Sequence, residues 1–75
     1  MVNGLLERSL RENIVLEMIY LSNQNQITQR RIIVRENKDS SFRAFCYLRK
    51  QTRIFKKENI LSISQSKYQT NWRIS

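Results

Sequence analysis

"FCYLRKQTRIFKKENI", residues 45–60, decides the fold. It holds five cations and one carboxylate, yet Phe45, Tyr47, Leu48, Ile54, Phe55 and Ile60 run through it. A solvated basic tail carries no such apolar load, and an ordinary core hairpin carries no such charge. Strand alternation reconciles the two. Successive side chains point to opposite faces, so one strand gives apolar groups to a core and cations to a surface. Extended upstream, residues 41–49 alternate Phe42, Ala44, Cys46 and Leu48 against Arg43, Phe45, Tyr47 and Arg49. After a very short connection, "TRIFK" at 52–56 reads as the next strand. "KENI" at 57–60 reads as a single helical turn, and "LSIS" at 61–64 as a last short strand.

The same reading runs back to the N-terminus. "ENKDS" at 36–40 is a turn, and "ITQRRIIVR" at 27–35 is a strand with Thr28, Arg30, Ile32 and Val34 on one face. "SNQNQ" at 22–26 is a polar turn cluster. "IVLEMIYL" at 14–21, β-branched and aromatic with only Glu17 interrupting, is another strand. "VNGLLERSLR" at 2–11 places Val2, Leu5, Leu6 and Leu10 on one stripe of a short helix, with Asn3 as its cap. The expected architecture is therefore mostly β: a short N-terminal helix, then five closely spaced antiparallel strands in a small barrel or strongly bent sheet. Proline is absent and Gly4 is the only glycine, so positive φ in the tight turns falls to Asn23, Asn25, Asn37 and Asp39. The expected core is Leu16, Ile32, Val34, Phe42, Ala44, Cys46, Leu48, Phe55 and Ile60. Residues 1–66 read as one domain and 67–75, "KYQTNWRIS", as a tail without clear period. Its Trp72 and Ile74 suit docking on the barrel or on a second subunit.

Seventy-five residues bury a thin core, which association of two copies would support. A homodimer through a strand edge is expected on that ground. Cys46 is the lone cysteine and histidine is absent, so neither an internal disulfide nor a structural zinc site is expected, and no cofactor. A single unpaired thiol fits a reducing cytoplasm. No apolar run approaches the roughly 20 residues that span a bilayer, and "MVNGLLERSLRE" has neither a basic start nor a long apolar stretch of a signal peptide. The charge is uneven: residues 1–20 carry a net −1 and residues 21–75 a net +9. A field of that sign on so small a body favours polyanionic partners and speeds their encounter.

Catalysis is not expected. The commonest general base is missing, and the six carboxylates form no pair at a spacing suited to an acid and a base. Cys46, between Phe45 and Tyr47 in an apolar lane, reads as a buried, inert thiol.

"AFCYLRKQTRIFKKENILSI", residues 44–63, resembles the core signature of WYL domains. In that family an alanine–aromatic pair leads into a strand ending in Arg, a short turn, an Arg-x-Phe element and a closing Ile. Here these are Ala44, Phe45, Arg49, Arg53, Phe55 and Ile60. Upstream, a helix runs into a strand ending in Tyr20, and Thr28, Arg30 and Ile32 match a Thr-x-Arg-x-hydrophobic strand. The likeness covers roughly residues 5 to 64. Ser40, Ser41 and Phe42 stand at the name-giving triplet, and the proline common after the second strand is absent. The family usually carries a winged helix-turn-helix before the domain and an extension after it, so the chain reads as a stand-alone, trimmed version.

The resemblance implies a bent, five-stranded, Sm-like barrel of the SH3 type. It also implies a ligand-sensing role in bacterial regulation, through a basic surface suited to single-stranded nucleic acid or a nucleotide. Carried over, the binding residues are Tyr20, Arg30, Arg49 and Arg53. Lys56 and Lys57 add to the attraction without setting geometry. Two other functions fit the same sequence: a protein-interaction module whose barrel edge pairs with an acidic partner, and a structural homodimer.

Overall fold

The structure, a computed structural model, describes residues 2–67. Helix α1 spans Val2–Glu12, followed by β1 (Leu16–Leu21), β2 (Ile27–Asn37), β3 (Ser41–Cys46), β4 (Gln51–Lys56), a 3-10 turn (Lys57–Asn59) and β5 (Ile60–Gln65). The strands form one antiparallel sheet in the order β4-β3-β2-β1-β5. This is the helix-plus-five-strand architecture expected. The anticipated tail, with Trp72 and Ile74, lies outside the described residues apart from Lys67.

Alternation does what the sequence promised. Leu16, Met18 and Tyr20 of β1, Ile32 and Val34 of β2, Phe42, Ala44 and Cys46 of β3, and Phe55 of β4 all point inward and are buried. The sheet is curled hard enough for non-neighbouring strands to meet. Tyr20 of β1 sets its ring edge against Phe55 of β4 at 5.1 Å between centroids, although two strands separate β1 from β4. The Lys56 N–H donates to the Tyr20 hydroxyl at 2.8 Å. Phe42 stacks on Phe55 at 5.5 Å. The edges of the sheet are β4 and β5, and Tyr20 bridges β1 to β4 across the curl without strand pairing between those two strands.

Helix α1 is held by a buried serine. The Ser9 hydroxyl donates to the Ile14 carbonyl at 2.7 Å and accepts the Val34 N–H at 3.0 Å. Leu6 enters the core, with Leu5 and Leu10 packed against it. The helix ends where Asn13 turns to φ 57° and its N–H bonds the Ser9 carbonyl.

Several local expectations are corrected. Asn3 is not a cap: it lies inside α1, and its Oδ1 accepts from Asn37 Nδ2 and Lys57 Nζ. β1 begins at Leu16 rather than at residue 14, because Ile14 and Val15 serve as the lead-in from α1. β2 runs on to Asn37 across a register shift between Val34 and Glu36. β3 stops at Cys46, so Leu48 falls in a turn and is 61% exposed instead of buried. Ile60 is only partly buried against the core. Of the four residues expected at positive φ, Asn25 alone has it; Asn13 and Lys50 carry the others. At Lys50 the tightness of the β3–β4 connection overrides the steric preference of an L side chain.

Candidate functional site

The inner face of the sheet is plugged at one end. Helix α1 is fastened at Val34, and on the same face of β2 the chain continues through Ile32 to Arg30 and Thr28. Arg30 lies four residues from Val34, roughly 13 Å along the strand. There the inward lane changes from apolar to polar. This is the end of the barrel away from the helix, its mouth.

Arg30 is half-buried and held on three sides. Its Nε donates to Thr28 Oγ1 at 3.2 Å, and Thr28 Oγ1 in turn donates to the Tyr20 carbonyl at 3.3 Å. Its Nη1 donates to Cys46 Sγ at 3.4 Å. Its Cζ lies 5.8 Å from the centre of the Phe55 ring, an attraction between cation and aromatic face. A guanidinium is planar and carries five N–H donors. Among the described residues, Nη2 has no hydrogen-bond partner, so one edge of the plane is held and another is open.

Cys46 shapes the same corner. Burial alone pushes its thiol up, but the Arg49 N–H, the Arg30 side chain and the Leu48 N–H outweigh it, and its pKa is lowered. The sulfur is buried as expected, in company more polar than the sequence suggested.

The other candidates divide. Arg53 faces inward on β4, two residues from Phe55 and so on the same face, roughly 7 Å away along the strand. It is exposed. Arg49 belongs to the β3–β4 turn and is exposed. Tyr20 is buried, with its hydroxyl engaged by Lys56 N–H and its ring by Phe55; it forms the wall of the mouth rather than an open platform. Lys56 follows Phe55 and so points to the other face of the sheet. Lys57 is drawn to the helix end, where Nζ donates to Asn3 Oδ1 at 2.8 Å. The fold thus puts Arg30 and Arg53 on the inward face, leaves Arg49 in the β3–β4 turn, and draws Lys57 to the helix end.

Carboxylates are distributed the opposite way. Glu17 faces Arg31 at 3.5 Å, Glu36 faces Arg43 at 2.6 Å and Lys38 at 3.8 Å, and Glu12 faces Arg8 at 3.5 Å. Among the described residues, none of Arg30, Arg49, Lys50, Arg53, Lys56 and Lys57 has a carboxylate within 4 Å. None of these pairs reaches Arg30 or β4, and Arg35 of β2 likewise has no carboxylate within 4 Å among the described residues. Sequence reasoning missed Thr28, Cys46 and Phe55 as parts of the site. Thr28 was open to inference, because i and i+2 on a strand share a face with Arg30. The Phe55 contact was not, since it depends on the curl of the sheet.

No protein-family model and no curated protein sequence matches the chain. In fold it is similar to a solved structure of proteasome accessory factor B/C (PafBC) of Arthrobacter aurescens. The TM-score is 0.78 at 20% identity, covering 93% of this chain and 12% of that one. The chain therefore spans a small fraction of that protein's length, and at this identity the likeness concerns the fold alone.

Proposed function

We propose that the chain is a small regulatory module, and not an enzyme, whose barrel mouth and β4 bind a phosphate-bearing anion: single-stranded nucleic acid or a nucleotide. The observation that carries this reading is Arg30. A half-buried guanidinium normally answers a carboxylate, because its desolvation needs an opposite charge. Here the plane is fixed by Thr28, Cys46 and Phe55, and no carboxylate of the described residues meets it. Such an arrangement suits a ligand that supplies the missing anion, with planar geometry favouring phosphate oxygens. In this reading Arg53 and the Arg49 turn take further phosphates of a single strand. The resemblance of residues 44–63 to WYL domains supports a regulatory role in the bacterial cytoplasm.

The test is a fluorescence-anisotropy titration of the whole chain with labelled single-stranded DNA, RNA and duplex at several salt concentrations. The reading expects single strands to bind, with log K falling against log salt by roughly 0.7 for each phosphate contact. Absence of binding to all three at low salt refutes it.

A second reading has one observation of its own. Ile54 is 73% exposed in the middle of the edge strand β4, beside a surface hollow of about 270 Å³ lined by Glu36, Lys38, Ser41, Phe42 and Arg43. An apolar side chain on an unpaired edge suits pairing with a partner strand, from an acidic protein or from a second copy. Sedimentation showing only monomer at high micromolar concentration removes the homodimer.

A further inference from the structure

The mouth contains a potential anion of its own. Cys46 is fully buried, at 0% exposure, yet its sulfur accepts from a guanidinium: Arg30 Nη1 of β2 lies 3.4 Å away. Cys46 is also the last residue of β3, so this contact adjoins the turn that carries Arg49. The strand partners of Cys46, Ile32 on β2 and Gln51 on β4, bring no charge. The charged or titratable groups turned to this lane are Arg30, Arg53 from β4 and Tyr20 from β1, the last with its hydroxyl engaged by Lys56 N–H; Arg49 stands exposed in the adjoining turn. Helix α1 turns Leu5, Leu6, Leu10 and the buried Ser9 inward, none of them charged. Among the described residues, no carboxylate pairs with this cluster.

We propose that Cys46 is a positioning residue that gates the anion site. As a thiol it holds the Arg30 plane in place for a phosphate. As a thiolate, its proton released to solvent, it becomes the counter-ion of Arg30 and displaces the ligand. This rests on the reading that the mouth binds an anion. The geometry requires the competition: a full negative charge 3.4 Å from Nη1 cancels the charge a phosphate would meet. The lowered pKa brings that ionisation closer to neutrality than in a free thiol. The sign follows. Affinity is full where the thiol is protonated and falls as pH rises through the folded thiol's pKa.

Two measurements on the whole chain test this. The first needs no ligand: thiolate absorbance in the ultraviolet is followed against pH for the native protein and Arg30→Gln. The thiol should titrate higher in Arg30→Gln; identical curves overturn the coupling whatever the chain binds. The second is anisotropy with a labelled oligothymidylate at fixed ionic strength, from about pH 6.5 to about pH 9, below the range of Tyr and Lys. Native affinity should fall roughly five- to tenfold, the weight of one charge-assisted contact. Cys46→Ser keeps an acceptor that does not ionise, so whatever its affinity at the acid end, its profile should stay flat across the range. A Cys46→Ser profile that falls like the native one overturns the gate and leaves the binding site standing. Unchanged binding by Arg30→Gln removes the site itself, and the gate with it.

Discussion

Tyr20→Phe is the sharpest probe of how the barrel closes. It deletes one oxygen and leaves the ring, so the edge contact with Phe55 at 5.1 Å survives while the Lys56 N–H loses its acceptor. That N–H belongs to an edge strand, and in the native fold the hydroxyl is what joins it to β1. Leaving a partly buried donor unpaired costs about 1–2 kcal/mol. For a domain of this size that lowers the melting temperature by roughly 4–15 °C. Tyr20→Ala removes the ring as well and should cost about 3–5 kcal/mol. Urea unfolding followed by circular dichroism measures both, with the slope expected to stay constant for Tyr20→Phe because the surface exposed on unfolding is the same. Ligand binding by the folded Tyr20→Phe protein should be unaltered, since Tyr20 is wall and not platform. A Tyr20→Phe change below about 0.3 kcal/mol would refute this account of closure, since it is less than any buried hydrogen bond contributes.

The remaining predictions concern single side chains. Lys50→Gly should stabilise the fold by about 0.5–1 kcal/mol, because φ 56° costs an L residue but not glycine; a loss of stability in denaturation would contradict that. Ser9→Ala leaves the Val34 N–H without its acceptor inside the helix–sheet junction and should cost about 1–3 kcal/mol, read from the urea midpoint. Cys46 should react slowly with a disulfide reagent in the native state and fast in denaturant, because access and not ionisation limits a fully buried sulfur; equal rates would mean the sulfur is open. Its depressed pKa also sets a sign for stability: the contribution is present above the unfolded thiol's pKa and is lost as pH falls through the folded one.

What the sequence disclosed, and what it withheld, follows from the range of the interactions. The inward sets Thr28, Arg30, Ile32, Val34 and Phe42, Ala44, Cys46 were legible because period-two alternation is local. Leu48 was misplaced by extending that alternation past Cys46, where a four-residue turn begins and the period no longer applies. The fastening of α1 was invisible, because a serine mid-helix gives no sign that its hydroxyl will meet a strand N–H 25 positions away. In the site, Arg30 and Arg53 were readable as inward cations beside apolar neighbours. The roles of Tyr20 and Lys57 were not. One depends on β1 meeting β4 across the curled sheet, and the other on Asn3 lying near the turn after β4.

The central claim is that Arg30 offers a fixed plane rather than a diffuse charge, and Arg30→Lys tests it most directly. Single-strand affinity would be measured across a salt series for the native chain, Arg30→Ala and Arg30→Lys. The account predicts an overall slope of roughly −3 for the native chain, flattened by less than one unit in Arg30→Ala. It also predicts that Lys, keeping the charge but losing the fork, recovers little of the lost affinity. Near-complete recovery by Arg30→Lys would contradict it and leave only a basic surface.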